Sequence, residues 1–185
     1  MLHMEHKDYK MEIVLELLRG ENHVRNIAKL VGISHMTISR KIRGLAKDNI
    51  VDFKENGKNK TYFLKKTSEA KTFSIMSENY KYLKTLAKYP TLRIIFDKIQ
   101  RNKKIKLAIL FGSYAKGLEK QDSDIDIYIE TENGKIRREV ELIDSRLSIK
   151  IGAFSSDNLL IKEIIKNHVI LKGIEDYYDK TELFS

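Results

Sequence analysis

Residues 107–130, LAILFGSYAKGLEKQDSDIDIYIE, constrain the fold of this chain more than any other stretch. Two short β-rich runs enclose a small-residue turn at Gly112 and Ser113, and the second run carries Asp124 and Asp126. Successive side chains of a strand point to opposite faces, so the two carboxylates share one face and the isoleucines between them share the other. The pattern predicts a strand that packs against a core on one face and binds on the other.

The two aspartates and the turn suggest related chemistry. Carboxylates about 7 Å apart along one strand repel each other, and a hard cation such as Mg²⁺ neutralises them. Gly112 lets the backbone approach a ligand closely, and we expect Ser113 to cap a short helix whose free N–H groups favour phosphate. The stretch therefore predicts that phosphate and metal meet beside Asp124 and Asp126.

A Gly-Ser pair followed, after ten intervening residues, by a D-x-D within the run S-D-I-D-I resembles the signature of the DNA polymerase beta-like nucleotidyltransferase superfamily. The short spacing and the GSYAKG form are most similar to the minimal nucleotidyltransferases of prokaryotes. The resemblance implies transfer of a nucleoside monophosphate from a nucleoside triphosphate (NTP) with Mg²⁺. It implies that Gly112 and Ser113 bind nucleotide and that Asp124 and Asp126 are catalytic and hold the metal. The alternative is an ordinary strand-helix-strand unit with a solvated acidic edge.

Charge is distributed unevenly along the 185 residues, whose net charge is +9. Residues 1–66 and 67–104 are basic, whereas residues 105–185, which contain the two aspartates, are net acidic. This division is expected if the first part of the chain meets a polyanion. The absence of cysteine and of a long apolar run predicts a soluble, cytoplasmic protein with no membrane partner.

Residues 8–66 predict three helices followed by a hairpin. The segment IAKLVGISHMTISRKIRGLAKDNIV gives two helices around a tight turn at Gly32, the second capped by Ser34. Two β-rich runs then flank Asn56 and Gly57, which is a strong hairpin signal. The arrangement resembles the winged helix-turn-helix family of DNA-binding domains.

That resemblance implies a double-stranded DNA partner, with the third helix in the major groove and the hairpin lysines on phosphate. A helical adaptor with a solvated basic face is the alternative. The DNA-binding residues it implies are Thr37, Arg40, Arg43, Lys58 and Lys60.

Residues 68–103 predict two helices separated by Pro90, the only proline, at a helix N1 position. We expect their aromatic stripes to be domain core. The first of these helices could instead pack against its copy and join two winged domains into a homodimer.

Residues 138–143 fit two patterns, an alternating strand and an amphipathic helix, and we favour the helix. The choice matters because the nucleotidyltransferase family adds a third carboxylate from the strand beside D-x-D. On the strand interpretation Glu141 or Glu139 could supply it. On the helix interpretation the neighbouring strand is 147–154, which offers Ser148 and Lys150 and no acid. Downstream, Ser156 is expected to cap a helix over 157–166.

The predicted fold class is α/β (α+β), with a winged helix-turn-helix domain at 1–67, a helical linker at 68–103 and a small mixed-sheet nucleotidyltransferase-like domain at 104–185. The predicted function is a DNA-binding protein that transfers a nucleoside monophosphate from an NTP to an acceptor. A protein acceptor such as a HEPN-type partner is among those that the resemblance implies. The alternative is a transcription regulator whose second domain only binds nucleotide.

Overall fold

The computed structural model of the chain describes residues 7–57 and 59–185, apart from the side chain of Asn56. The chain folds into two compact units. The N-terminal unit contains the described residues up to Tyr80 together with Leu183–Ser185, and the C-terminal unit is Lys81–Glu182. No helix in the described part of the chain is both long and apolar enough to cross a membrane.

The N-terminal unit has three short helices, a three-stranded antiparallel sheet in the order β1-β3-β2, and the start of a long helix. This is a winged helix-turn-helix arrangement, in which β2 and β3 form the wing. Its elements are α1 (Tyr9–Leu18), β1 (Asn22–His23), α2 (Val24–Val31), α3 (His35–Lys47), β2 (Val51–Asn56), β3 (Asn59–Leu64) and α4 (Ser68–Lys88).

Local sequence explains the turn between α2 and α3. Gly32 ends α2 in the left-handed region, with φ of 80°, which glycine adopts at little cost. The Ser34 hydroxyl then accepts a hydrogen bond from the Thr37 backbone N–H at 3.2 Å and caps α3, as predicted. The next turn, after α3, is made by Asn49 at φ of 59°, a conformation that asparagine tolerates.

One face of α3 is buried in the core of the N-terminal unit. Ile38, Ile42 and Leu45, spaced at i, i+4 and i+7 along α3, are essentially inaccessible to solvent. Burial of this stripe fixes the rotation of α3, so its basic side chains lie on the opposite, solvent side.

The C-terminal unit is built around a four-stranded mixed sheet in the order β6-β5-β4-β7. β4 is antiparallel to both β5 and β7, whereas β5 and β6 are parallel and are joined by the crossover helix α7. The elements, which follow the end of α4 and a 3₁₀ turn at Pro90–Leu92, are α5 (Arg93–Arg101), β4 (Ala108–Leu110), α6 (Gly112–Lys116), β5 (Ile125–Glu130), α7 (Gly134–Glu141), β6 (Leu147–Gly152), α8 (Leu159–Lys166), β7 (Val169–Lys172) and α9 (Ile174–Thr181).

Alternation along β5 separates the core from the site. Ile125, Ile127 and Ile129 are fully buried in one hydrophobic cluster with side chains of α5 and α7. The intervening positions of β5, including Asp126, therefore point to the other face of the sheet. The core thus determines where the carboxylates lie.

Two predictions about the second half of the chain have clear outcomes. The helix interpretation of residues 138–143 is confirmed over most of its length, because α7 runs from Gly134 to Glu141 and buries Ile136 and Val140. The predicted cap at Ser156 is wrong. The cap is Asn158, whose side chain accepts a hydrogen bond from the Leu160 N–H at 2.8 Å.

Candidate functional site

Gly112 and Asp126 are in direct contact at the end of β4. Gly112 has φ of 68°, and a Cβ atom placed on it would lie 2.2 Å from Oδ2 of Asp126. The residue before Gly112 is also bonded to β5, since the Phe111 N–H donates a hydrogen bond to the Asp126 carbonyl at 3.0 Å. Only glycine satisfies both the dihedral angle and the close approach. The structure therefore brings the predicted turn and the predicted carboxylate together.

Asp124 and Asp126 are not equivalent. Asp124 is exposed just before β5 begins, whereas Asp126 is half-buried within the strand. The parallel pairing of β5 with β6 places Ser148 opposite Asp126 and Lys150 opposite Tyr128. Alternation puts Ser148 and Lys150 on the same face of the sheet as the aspartates.

These neighbours act on the Asp126 carboxyl in opposite directions. Burial raises its pKa, and the hydrogen bond with Ser148 lowers it. The negative charge of Asp124 raises the pKa, and the positive charge of Lys150 lowers it. The balance leaves the pKa of Asp126 above its ordinary value, because burial disfavours the charged form more than the neighbours favour it.

The two glutamates considered for a third carboxylate lie on α7, not on a strand. Glu141 pairs with Arg137 at 2.8 Å within the helix, and Glu139 lies 3.4 Å from Lys104. The alternative that placed one of them on a strand beside Asp126 is therefore wrong. In its place β6 presents a hydroxyl and an amine.

Whether this site fits Mg²⁺ depends on how many oxygens the protein must supply. Within the described residues there is no group of three or more His, Cys, Asp or Glu side chains that could enclose a metal ion. Mg²⁺ in nucleotide sites is commonly bound by one or two carboxylates plus substrate phosphates. Asp124 and Asp126 fit a metal ion that binds together with a triphosphate, and they do not form a cage for a free ion.

Ser113 lies inside α6 and does not cap it. The helix begins at Gly112, its N-cap residue is Phe111, and no side chain makes a cap hydrogen bond there. The expected capping role is therefore wrong, although Ser113 still directly follows the glycine that contacts Asp126. Its carbonyl accepts a hydrogen bond from the Leu118 N–H at 3.0 Å, which closes the loop after α6.

Sequence reasoning missed a set of contacts on that loop. Lys88 and Tyr89, at the end of α4, bond to Gly117 and Glu119. The two pairs are about thirty positions apart in the sequence. No local pattern links them, and neither Lys88 nor Tyr89 stands out in the sequence.

The solvent side of α3 carries the predicted DNA-binding side chains. Arg40 and Arg43 are exposed, and neither makes an ion pair or a side-chain hydrogen bond with any residue that the structure describes. Thr37 is half-buried, and its hydroxyl lies 2.9 Å from that of Ser34 at the helix cap. The arginines are therefore available to a ligand, whereas the threonine is already engaged at the cap.

Of the two wing lysines, only Lys60 falls in the described part of the chain; Lys58 lies outside it. The ammonium of Lys60 sits 3.8 Å from the centre of the Phe53 ring and 3.6 Å from the Glu55 carboxylate. It lies beside the tight turn that pairs Asn56 with Asn59.

The C-terminal unit matches a known family in sequence. Residues 94–176 match the family described as "Polymerase beta, Nucleotidyltransferase". A protein of Methanocaldococcus jannaschii, "Putative protein adenylyltransferase MJ1379", is 31% identical over 101 residues, which are 51% of this chain and 95% of that protein. The chain belongs to the polymerase beta-like nucleotidyltransferase superfamily.

Solved structures resemble the chain more weakly. The adhesin competence repressor AdcR from Streptococcus pyogenes is 15% identical, with a TM-score of 0.41, and the match covers 49% of this chain and 69% of that one. The transcriptional repressor BigR from Xylella fastidiosa is 24% identical, with a TM-score of 0.36, covering 45% and 77%. At these values the likeness supports no argument about what this chain binds.

Proposed function

We propose that this protein is a DNA-binding transcription regulator whose nucleotidyltransferase domain binds a nucleoside triphosphate as a ligand and does not transfer it efficiently. The observation that carries this proposal is the strand beside Asp126. β6 presents Ser148 and Lys150 there, where the family adds a third carboxylate. The proposal extends to Mg²⁺, which would accompany the triphosphate.

Nucleotide binding is supported by the parts of the site that match the family pattern. Gly112 and Ser113 would approach the phosphates, and Asp124 and Asp126 would hold Mg²⁺, which supplies charge neutralisation when bound. Lys150 already places one positive charge near Asp126. The Lys150 ammonium reduces the need for a second metal ion, but it has no lone pair with which to bind a metal.

DNA binding is supported by the winged helix-turn-helix unit and its exposed charge. Arg40 and Arg43 would face the major groove, with Thr37 at the edge of that surface and Lys58 and Lys60 on phosphate. Phosphate contacts carry no sequence information, so the target sequence is not proposed.

The decisive experiment separates binding from transfer. Wild-type protein is incubated with labelled ATP, GTP, CTP or UTP, Mg²⁺ and a cell extract, and binding is measured in parallel by calorimetry. We expect Mg²⁺-dependent binding of at least one triphosphate with no label on any acceptor. Label that appears with wild type and disappears in Asp124→Ala/Asp126→Ala would overturn the regulator proposal in favour of transfer.

Ser148→Asp sharpens this test because it restores an acid opposite Asp126. We expect this variant to bind Mg²⁺ with nucleotide more tightly and to gain detectable transfer or release of pyrophosphate. Ser156→Asp, a serine-to-aspartate change in the loop before α8, is the matched control and should gain neither. If Ser148→Asp gains nothing, the missing carboxylate is not what limits the site.

Nucleotidyl transfer is the second candidate, and a specific observation favours it. The Gly-Ser pair and both strand aspartates are present together at the site, and a relative 31% identical is named as a putative protein adenylyltransferase. On this proposal an acceptor oxygen attacks the α-phosphorus and pyrophosphate leaves. The acceptor would be a protein side chain, and a HEPN-type partner is one candidate.

A further inference from the structure

The loop that follows the Gly-Ser pair is held by the last turn of α4. The Lys88 ammonium donates a hydrogen bond to the Gly117 carbonyl at 3.2 Å and lies 3.6 Å from the Glu119 carboxylate. The Tyr89 hydroxyl donates a hydrogen bond to the same carboxylate. We refer to Lys88, Tyr89, Gly117 and Glu119 as the α4 clamp.

Packing adds to these polar contacts. The Tyr89 ring meets Tyr114 edge to face, with ring centres 5.1 Å apart. Tyr114 is buried and directly follows Ser113 in α6. Such an aromatic pair contributes beyond its buried area, so it fixes α6 from its inner side.

Gly117 is part of the same contact. Its φ is 71°, and a Cβ atom there would lie 3.2 Å from the Lys88 ammonium. The hydrogen bond with Tyr89 also lowers the pKa of the Glu119 carboxyl, which keeps that side chain charged opposite Lys88. Lys88 and Tyr89 therefore contact the segment from Tyr114 to Glu119 at both of its ends.

We propose that Lys88 and Tyr89 are positioning residues for the nucleotide site, and that α4 thereby links nucleotide occupancy to the winged helix-turn-helix unit. The inference rests on the proposed function. Neither residue is expected to touch the nucleotide. They hold the loop after α6, and Tyr89 also packs on Tyr114 of α6, the helix that begins at Gly112 beside Asp126.

The link to DNA binding follows from the continuity of α4. The helix is unbroken from Ser68 to Lys88, and its beginning belongs to the core of the N-terminal unit, where Ala70 is fully buried and Phe73 packs. On this proposal, a ligand that orders the loop also orders the end of α4, because Lys88 and Tyr89 contact that loop. Coupling is reciprocal, so nucleotide must change DNA affinity by the same factor as DNA changes nucleotide affinity.

The test uses the full chain with Tyr89→Phe, Lys88→Met and Glu119→Gln, and Lys98→Met as the matched control on α5. Calorimetry gives the affinity for the triphosphate that wild type binds most tightly, with Mg²⁺. Titration of a random-sequence DNA duplex, with and without that nucleotide, gives the coupling.

We expect each clamp variant to bind nucleotide about 3- to 10-fold more weakly, which corresponds to the roughly 0.5–1.5 kcal/mol that one intramolecular hydrogen bond contributes. Each should also show a smaller nucleotide-dependent change in DNA affinity. DNA affinity without nucleotide and the thermal unfolding midpoint should stay at wild-type values, which a merely structural role would not predict. Lys98→Met should behave as wild type.

Clamp variants that bind nucleotide as tightly as wild type would overturn the positioning role while leaving the proposed function intact. A wild-type protein whose DNA affinity is the same with and without nucleotide would overturn the link through α4. Failure of wild type to bind any triphosphate would overturn the proposed function itself and this inference with it.

Discussion

The two candidate ligand surfaces of this protein use charge in different ways. On α3, Arg40 and Arg43 are exposed and without partners among the described residues, so each acts as an independent cation. Where β4 ends and β5 begins, Asp126 is half-buried, and its pKa depends on that burial and on Ser148, Asp124 and Lys150 together. On α3 the effect of each arginine can be inferred separately. Around Asp126 the charge of one side chain depends on the others.

The difference has a physical cause. Exposed charges are screened by water and salt and interact weakly with each other. A half-buried carboxylate is screened less, so burial and the neighbouring groups together decide its protonation. Substitutions on α3 should therefore lower DNA affinity in moderate steps. Substitutions beside Asp126 should change nucleotide affinity strongly, and substitutions of residues that do not contact this site should change it little.

The largest effect is expected from Gly112→Ala. The added methyl group collides with Asp126 and strains a residue at positive φ, which costs about 1–2 kcal/mol before the collision is counted. We expect nucleotide affinity to fall by more than about 100-fold, since a loss of roughly 3 kcal/mol corresponds to that factor. Calorimetry measures the affinity.

Gly134→Ala is the control for that variant. Gly134 begins α7, and a Cβ atom there would contact nothing within 4 Å. Its affinity for nucleotide should match wild type. Equal affinities for all three proteins would show that Gly112 does not shape the site.

The second largest effect is expected on DNA affinity. Arg40→Ala/Arg43→Ala should weaken binding to a duplex by about 10- to 100-fold, because a groove-contacting arginine contributes roughly 1–3 kcal/mol. The slope of log affinity against log salt should also become shallower by about one unit for each phosphate that the variant no longer neutralises. Fluorescence anisotropy at several salt concentrations measures both quantities.

Arg93→Ala, an exposed arginine of α5, is the control for the arginine pair. It should leave affinity and slope unchanged. Binding that is insensitive to salt, or equally weakened by both variants, would contradict a DNA surface on α3.

A smaller effect is expected from Asp144, which supports the start of β6. Its carboxylate accepts hydrogen bonds from Nε and Nη2 of Arg146 at 3.1 and 2.8 Å, and this lowers the pKa of Asp144. The Arg146 carbonyl in turn accepts the Ile125 N–H at 2.8 Å, where β5 begins. The pair therefore joins the two strands that form the site.

Because the pKa of Asp144 is depressed by folding, its contribution to stability is present above the ordinary aspartate pKa, about 3.9, and is lost as pH falls through the lower folded value. Asp144→Asn should lower the free energy of unfolding by about 0.5–1 kcal/mol at pH 7, as expected for a partly exposed pair. The difference from wild type should shrink as pH approaches 3. Urea unfolding at several pH values tests this, with Asp157→Asn as the control. A difference that grows on acidification would contradict the assignment.

The smallest effect is expected from Glu141→Gln and Glu139→Gln. Both side chains lie on α7 and pair with Arg137 and Lys104, so neither reaches Asp126. Nucleotide affinity and Mg²⁺ dependence should stay within about 2-fold of wild type, less than 0.5 kcal/mol. A loss as large as that of Asp126→Asn would return one of these glutamates to the site.

Much of the fold could be predicted because local signals agree with one another. Ser34, Gly32 and the Ile38-Ile42-Leu45 stripe each define the same helix-turn-helix, and the alternation along β5 defines the faces of the sheet. The predictions that Ser113 and Ser156 cap helices were wrong. Several neighbouring residues can serve as the N-cap, and the backbone geometry of the folded chain decides which one does. The sequence alone does not show which residue that is.

The sequence predicted the family, the element types of both domains and the turn at Gly112, because each of these depends on a short motif with its own local geometry. It also predicted that strand 147–154 would lie beside Asp126, but it did not determine the register of β5 with β6, because register depends on packing between segments far apart in the chain. That register places Ser148 opposite Asp126, the helix α7 keeps Glu141 and Glu139 off the sheet, and tertiary packing brings Lys88 and Tyr89 to the loop after α6.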